Sequence, residues 1–292
     1  MRPCGVSLYV VYKGGIIMKK ISFALQLYTV RDFLEKDFEG TIKQVKEIGY
    51  KYVELAGMCG VQPEKLKSVL DANSLTVLSA HVPYNELSEN TDKTIKLYKS
   101  VGCRFIAIPW ISGEIFQNTN SLDNFTAEVK KIGEICGEND VTLLYHNHDF
   151  EFCKLPNGAY GLDYFYEHVP PGMLQTQIDT CWVKVAGLDP AAYIRKYAGR
   201  CPVVHLKDFY IEGVAEGMYE LVGQENDGQK EKTGVFEFRP VGHGLQDFPS
   251  IYTASRESGA EWAVVEQDLS VGRTSLEAAK LSYEYIQSQG WA

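Results

Sequence analysis

The sequence lacks the features that mark several large classes of protein. Its seven cysteines lie singly and form no CxxC pair, so neither a zinc knuckle nor a disulfide framework is indicated. Basic residues are outnumbered by acidic residues, 29 to 38, and the net charge of -9 argues against a surface that binds nucleic acid. The one apolar stretch near the N-terminus is too short and too interrupted to span a membrane. We therefore expect a cytoplasmic protein with reduced thiols and no nucleic-acid or membrane partner.

The first 17 residues differ from the rest of the chain. They include that weak apolar stretch but no small-residue cleavage site of the usual kind. Met18, two lysines and a good strand pattern follow them. We expect residues 1–17 to be an N-terminal extension or a start-site error, and residues 18–292 to form one domain. A degenerate signal peptide is the weaker alternative.

The remaining sequence alternates short apolar runs with stretches of helical spacing. Phe38, Ile42, Val45 and Ile48 recur every three or four residues before Gly49, as in a helix that ends at a glycine. Eight strands alternating with about eight helices predict a single (β/α)₈ TIM barrel. A doubly wound open sheet is the alternative, but no glycine-rich phosphate loop follows the first strand. The predicted strands are 21–27, 52–55, 76–81, 105–108, 142–146, 174–178, 203–206 and 263–266.

Four predicted strands end in side chains that can bind a metal ion. His146, Asp179, His205 and Glu266 lie at the ends of strands five to eight, where a parallel barrel places its chemistry. Any one of them is equally consistent with a polar strand end that reaches solvent. Together they predict one divalent ion, with Mn²⁺ favoured and Mg²⁺, Co²⁺ or Zn²⁺ as alternatives.

Other residues near the same barrel mouth are candidates for catalysis and substrate binding. We expect Glu266 to act as a general base as well as a ligand, with His148 and Lys207 as further catalytic groups. A structural histidine and a surface ion pair are the alternatives for His148 and Lys207. The candidate substrate contacts are His81, Glu54, Trp110, Trp182, Arg239 and His243.

The connection over residues 209–244 is unusually long for a barrel loop. It follows the seventh strand, on the expected catalytic face, and ends in an aromatic, basic and glycine-rich stretch that includes Arg239 and His243. We expect it to cover the substrate as a lid. A solvated insertion that serves contacts in a homo-oligomer is the alternative.

Six segments carry a resemblance to a known family. They are 26–31 (QLYTVR), 146–151 (HNHDFE), 179–182 (DTCW), 205–208 (HLKD), 242–244 (GHG) and 266–268 (EQD). Over about residues 20–290, the chain resembles the sugar phosphate isomerase/epimerase family of xylose isomerase-like TIM barrels. Its His-x-His strand is most similar to inosose-dehydratase-like members and members that process 3-keto-sugars.

The resemblance implies one divalent metal ion held by Glu, Asp, His and Glu from strands five to eight. Asp179, His205 and Glu266 match three of these ligands, whereas His146 stands where many relatives have glutamate. Epimerases of the family use their two glutamates as an acid–base pair on opposite faces of the substrate. Glu266 alone remains for that role here, which puts a two-glutamate epimerisation in doubt.

The function expected first is a metal-dependent isomerase or epimerase of a keto-sugar or cyclitol. It would remove a proton next to a metal-bound carbonyl and pass through an enediolate. The alternative is a lyase or dehydratase acting on a 3-keto-sugar or inosose. A nuclease similar to endonuclease IV is less expected because it needs three metal ions and a basic groove. A non-catalytic sugar-binding protein is also less expected.

Overall fold

Eight parallel strands form a closed barrel in the computed structural model, which describes residues 11–12, 15–16, 20–213 and 234–292. This confirms the predicted TIM barrel. The first seven barrel strands are β1 to β7, and the eighth, β10, closes the ring between β7 and β1. Their bounds are Ser22–Gln26 (β1), Tyr52–Ala56 (β2), Thr76–His81 (β3), Phe105–Ile108 (β4), Thr142–His146 (β5), Gln175–Asp179 (β6), Val203–Leu206 (β7) and Trp262–Val265 (β10).

The barrel interior changes from apolar to polar along the strands. Ala24, Leu144, Val203 and Val264 belong to one buried apolar cluster. Because side chains two residues apart on a strand face the same side, His146 and His205 continue the rows that Leu144 and Val203 begin. The apolar layer therefore supports a polar layer at the carboxyl ends of the strands.

Helices surround the barrel and begin at side-chain caps. Asp37 accepts a hydrogen bond from the Gly40 N–H at the start of the second helix, which ends as predicted before Gly49, where φ is +124°. The helices are Arg31–Leu34, Phe38–Ile48, Pro63–Ala72, Tyr84–Glu89, Thr91–Ser100, Glu114–Gln117, Thr119–Glu138, Gly161–His168, Thr180–Val185, Pro190–Lys196, Phe248–Glu257 and Ser275–Ser288, with 3₁₀ turns at Leu27–Val30 and Phe150–Phe152.

The long connection after β7 contains an antiparallel hairpin that the sequence did not predict. Strands β8 (Asp208–Glu212) and β9 (Val235–Arg239) pair outside the barrel. Phe209 and Phe238 of this hairpin are buried against Trp182. Residues 214–233, the centre of the predicted lid, lie outside the described residues. The lid and the boundary at Met18 therefore stay predictions. Within the described part of the chain, no helix has the length and apolar character needed to cross a membrane.

Candidate active site

The four predicted metal ligands converge at the carboxyl end of the barrel. His146, Asp179, His205 and Glu266 are buried, and each offers a ligand atom within 4.8 Å of those of the other three. His81 forms a second such group with His146 and His205. Two imidazoles and two carboxylates form a donor set suited to a divalent transition metal. The cluster could hold one ion.

The two oxygens of Asp179 have separate partners. Oδ1 caps the helix that follows β6, accepting the Cys181 N–H at 2.8 Å and the Trp182 N–H at 3.1 Å. Oδ2 is buried and has no hydrogen-bond partner among the described residues, and His146 Nε2 and Lys207 Nζ each lie 3.7 Å from it. These separations are too long for hydrogen bonds. A buried oxygen without a donor, facing an imidazole at that distance, fits two ligands of a shared metal ion.

His205 lies between two glutamates. Its Nε2 is 2.7 Å from Glu54 Oε1, and its Nδ1 is 3.0 Å from Glu266 Oε2. Burial acts to lower the pKa of His205, but the two carboxylates outweigh it and raise the pKa to about 10. His146 behaves differently, because burial and the neighbouring imidazoles hold its pKa well below the usual value. His146 is therefore in the neutral form that binds metals.

Glu54 lies below the ligands and does not line the cavity. Its carboxylate is fully buried and accepts hydrogen bonds from Gln26 Nε2 at 2.7 Å, Ser79 Oγ at 2.5 Å and Gln177 Nε2 at 2.7 Å. It also lies 3.1 Å from His81 Nε2. This position supports an orienting role rather than the predicted contact with substrate.

Lys207 is a buried cation among carboxylates. Its Nζ lies 2.8 Å from Asp268 Oδ2 and 3.2 Å from Glu266 Oε2. It also lies over the rings of Trp182 and Phe238. Burial would lower its pKa, but the surrounding carboxylates hold it well above the usual value. Lys207 is thus a fixed positive charge. Trp182, predicted to contact substrate, is instead fully buried and packs beneath the Lys207 ammonium.

His148 is held as a neutral imidazole beside the ligands. Its ring stacks on Phe150 at 5.4 Å and packs against Trp182 at 5.3 Å. Burial, with Lys207 nearby, lowers its pKa to about 3. The backbone N–H of His148 donates to Glu151, which also accepts the Tyr145 hydroxyl. This contact fixes the turn after β5.

The cluster opens into a cavity of about 460 Å³. Trp110, 41% exposed, stands at its mouth, whereas His81 lies deeper. Arg239 instead pairs with Glu237, and His243 is exposed; neither lines this cavity. The lining residues are Tyr28, Ala56, Gly57, His81, Pro83, Glu86, Pro109, Trp110, His146, His148, Lys207, Glu266 and Asp268.

Asp268 and Glu86 are polar residues of the cavity that the sequence analysis did not select. Asp268 lies two residues after Glu266, so the alternation of an extended segment could have indicated it. Glu86 lies in the helix after β3, and no sequence signal distinguishes it from other carboxylates of surface helices.

Comparison with known proteins places this chain in a family. The family profile described as xylose isomerase-like TIM barrel matches residues 42–288. Among curated proteins, the inosose dehydratase of Clostridium tetani is 24% identical over 277 residues, covering 87% of this chain and 90% of that protein. The inosose dehydratase of Geobacillus kaustophilus is 22% identical over 271 residues, covering 84% and 85%.

Solved structures show the same fold. A sugar phosphate isomerase/epimerase from Parabacteroides distasonis superposes with a TM-score of 0.73 at 21% identity, covering 97% of this chain and 98% of that one. D-psicose 3-epimerase from Clostridium cellulolyticum gives a TM-score of 0.65 at 12% identity, covering 92% and 99%. At these identities the likeness concerns the fold alone.

Proposed function

Because this chain belongs to the xylose isomerase-like TIM barrel family, we propose that it is a divalent-metal-dependent lyase of a keto-sugar or inosose. It would remove a proton next to the substrate carbonyl and then expel water or another β-substituent. The observation that carries this proposal is the cavity in which Glu266, Lys207 and His148 surround a metal-capable cluster.

His146, Asp179, His205 and Glu266 would hold the ion, which when bound would polarise the carbonyl and acidify the adjacent C–H. Asp179 Oδ2 supports this assignment, because no residue in the described ranges donates a hydrogen bond to it.

Glu266 would move the proton, and Lys207 would offset the charge that develops. Glu266 is the base, because it is the one carboxylate of the ligand set that lines the cavity. The Lys207 ammonium, fixed between Glu266 and Asp268, offsets negative charge that develops on the substrate oxygen. Glu266, which then carries the abstracted proton, passes it to the leaving group.

Elimination fits this arrangement better than epimerisation. Epimerisation at one carbon needs acid–base groups on opposite faces of the substrate, and β5 carries His146 rather than a second glutamate. Elimination needs one base that removes the proton and can then pass it to the leaving group. The similarity to curated inosose dehydratases favours the same outcome. Isomerisation is the second candidate, because a single Glu266 could return the proton to a neighbouring carbon on one face.

The charges of the cavity favour an uncharged substrate. Among its described lining residues, Lys207 is the one lysine or arginine, and its ammonium already meets two carboxylates. Glu86 adds a further negative charge. A phosphorylated sugar would thus find no unpaired cation in these walls, whereas the ring of Trp110 could pack against the apolar face of a sugar.

A substrate panel tests the proposal. Purified protein loaded with Mn²⁺ is incubated in D₂O with inososes, 3-keto-sugars and ketoses, and products are identified by mass spectrometry and NMR. We expect loss of water or another β-substituent from a keto-sugar or inosose, and a Glu266→Gln variant about 10²–10⁴-fold slower. Deuterium incorporation with a retained formula would support isomerisation instead. No exchange with any substrate would contradict proton abstraction.

Metal content is measured separately. We expect the wild-type protein to bind one divalent ion and Asp179→Ala to lose it. Equal metal content in the two proteins would remove Asp179 from the ligand set.

A further inference from the structure

We propose that Glu54 is a positioning residue that keeps a hydrogen on Nε2 of two imidazoles, so that His205 and His81 both direct Nδ1 away from it and towards the active site. The part concerning His205 rests on the proposed metal-dependent function. Glu54 is fully buried in β2, and Oε1 lies 2.7 Å from His205 Nε2 and 3.1 Å from His81 Nε2.

The neighbours of Glu54 require it to be an acceptor. Gln26 directs its amide N–H₂ to Glu54, because its Oε1 already accepts the Tyr28 N–H at 3.0 Å. Gln177 also directs its N–H₂ to Glu54, and Ser79 donates its hydroxyl. A carboxylate that accepts from three donors is acceptor-only when ionised. Any ring nitrogen facing it must therefore carry the hydrogen.

His81 shows the consequence without reference to a metal ion. Its Nε2 lies 2.8 Å from Gln177 Oε1 as well as 3.1 Å from Glu54 Oε1. Both of these atoms are acceptors, so Nε2 is the protonated nitrogen of the neutral ring. Nδ1 then keeps its lone pair. Since His81 lines the cavity, this nitrogen is available to a substrate hydroxyl.

His205 also has its Nε2 facing Glu54. Its ring lies nearly parallel to that of His81, at 11° and 5.1 Å between centroids, and its Nε2 lies 2.7 Å from the Glu54 oxygen that also faces His81. His205 Nε2 makes no aligned hydrogen bond within the described part of the chain, but a nitrogen lone pair could not face a carboxylate oxygen at this distance, so Nε2 carries a hydrogen. Its Nδ1 faces Glu266, its partner in the ligand set. A carboxylate that accepts the second N–H of a ligating imidazole orients the ring and makes it a better ligand.

A charge effect alone is separable from a positioning effect. Glu54→Gln keeps the size of the side chain but places an N–H₂ group among donors. The new amide avoids facing other donors if it donates a hydrogen bond to Nε2 of the imidazole. The ring hydrogen then moves to Nδ1, and the lone pair no longer faces the active site. The matched control is Glu86→Gln, which neutralises a carboxylate on the cavity wall outside the Glu54 network.

The readouts are imidazole tautomers and metal affinity. Long-range ¹H–¹⁵N NMR of the metal-free protein should show Nε2–H on His81 in the wild type and in Glu86→Gln, and Nδ1–H in Glu54→Gln. Calorimetry with Mn²⁺ and Co²⁺ should show affinity lowered about 10–100-fold in Glu54→Gln and by a smaller factor in Glu86→Gln, which removes the charge but leaves the Glu54 network intact.

Two results would overturn the inference: Nδ1–H on His81 in the wild type, or wild-type affinity in a Glu54→Gln protein whose tautomers are unchanged. If Glu54→Gln does not fold, the His81 tautomer of the wild-type protein is the deciding measurement, and Nδ1–H there would refute the inference. A wild-type protein that binds no divalent ion would contradict the proposed function, whereas Nε2–H on His81 would still support the positioning by Glu54.

Discussion

Asp208 should be one of the most sensitive positions outside the catalytic cluster. Its buried carboxylate accepts four backbone N–H groups. Oδ1 accepts those of Phe209 at 2.9 Å and Gln246 at 3.2 Å, and Oδ2 accepts those of Gly242 at 3.0 Å and Gly244 at 2.8 Å. These bonds hold the loop after the β8–β9 hairpin against the first residue of β8.

The magnitude of the effect of Asp208→Asn follows from this geometry. Whichever way the new amide points, its N–H₂ faces two backbone donors, so two hydrogen bonds to a charged acceptor are lost. Such bonds contribute about 1.5–3 kcal/mol each, and buried donors left unsatisfied add to the loss. Burial raises the pKa of Asp208, so removing the charge recovers part of the desolvation cost. We expect a decrease of about 3 kcal/mol in the free energy of unfolding.

Urea unfolding of Asp208→Asn and a matched Asp247→Asn variant tests this value. Asp247 also accepts a backbone N–H, that of Ser250 at 3.2 Å, but it is an exposed helix cap. Asparagine caps helices about as well as aspartate, so this control should change stability by less than about 1 kcal/mol. Hydrogen exchange should also accelerate at residues 242–246 in Asp208→Asn alone. Equal unfolding free energies in the two variants would refute the reasoning.

Three further predictions concern packing, pH and specificity. Gly133→Ala would place Cβ 2.1 Å from the Met173 carbonyl oxygen and should destabilise the protein by about 1–3 kcal/mol. In the same helix, the Cβ of Gly137→Ala would meet no described residue within 4 Å, and this variant should be about 0.5–1 kcal/mol more stable than the wild type. Similar urea midpoints for the two variants would contradict this prediction. Burial raises the pKa of Glu151 to about 8, above the value of about 4.3 in the unfolded chain. The contribution of the protonated Glu151 to the stability of the fold is therefore complete below about pH 4 and is lost as the pH rises to about 8. Over that window the wild type should lose stability relative to Glu151→Gln, and parallel profiles would show that Glu151 ionises normally. A neutral keto-sugar should bind at least about tenfold more tightly than its phosphate ester, a difference of about 1.4 kcal/mol. Glu86→Gln should reduce this difference in affinity. Calorimetry that shows tighter binding of the ester would contradict the preference for an uncharged substrate.

Local periodicity was enough to locate the metal-capable cluster. A continuous apolar run followed by a polar side chain marks the end of a buried parallel strand, and the carboxyl ends of all barrel strands meet on one face. The predicted residues His146, Asp179, His205 and Glu266 therefore had to converge once the fold was a barrel. Strand limits were correct to within one residue, because the chain alternates and each helix interrupts the pattern.

The tertiary structure decided which partner each side chain has. Glu54 meets His205, 151 positions away in the sequence, inside the barrel rather than in the cavity. Trp182 packs against the β8–β9 hairpin. Arg239, within that hairpin, forms an ion pair with Glu237. Strand periodicity fixes the direction of a side chain and is local, whereas the neighbour it meets depends on strand register and on connections that close over the barrel end.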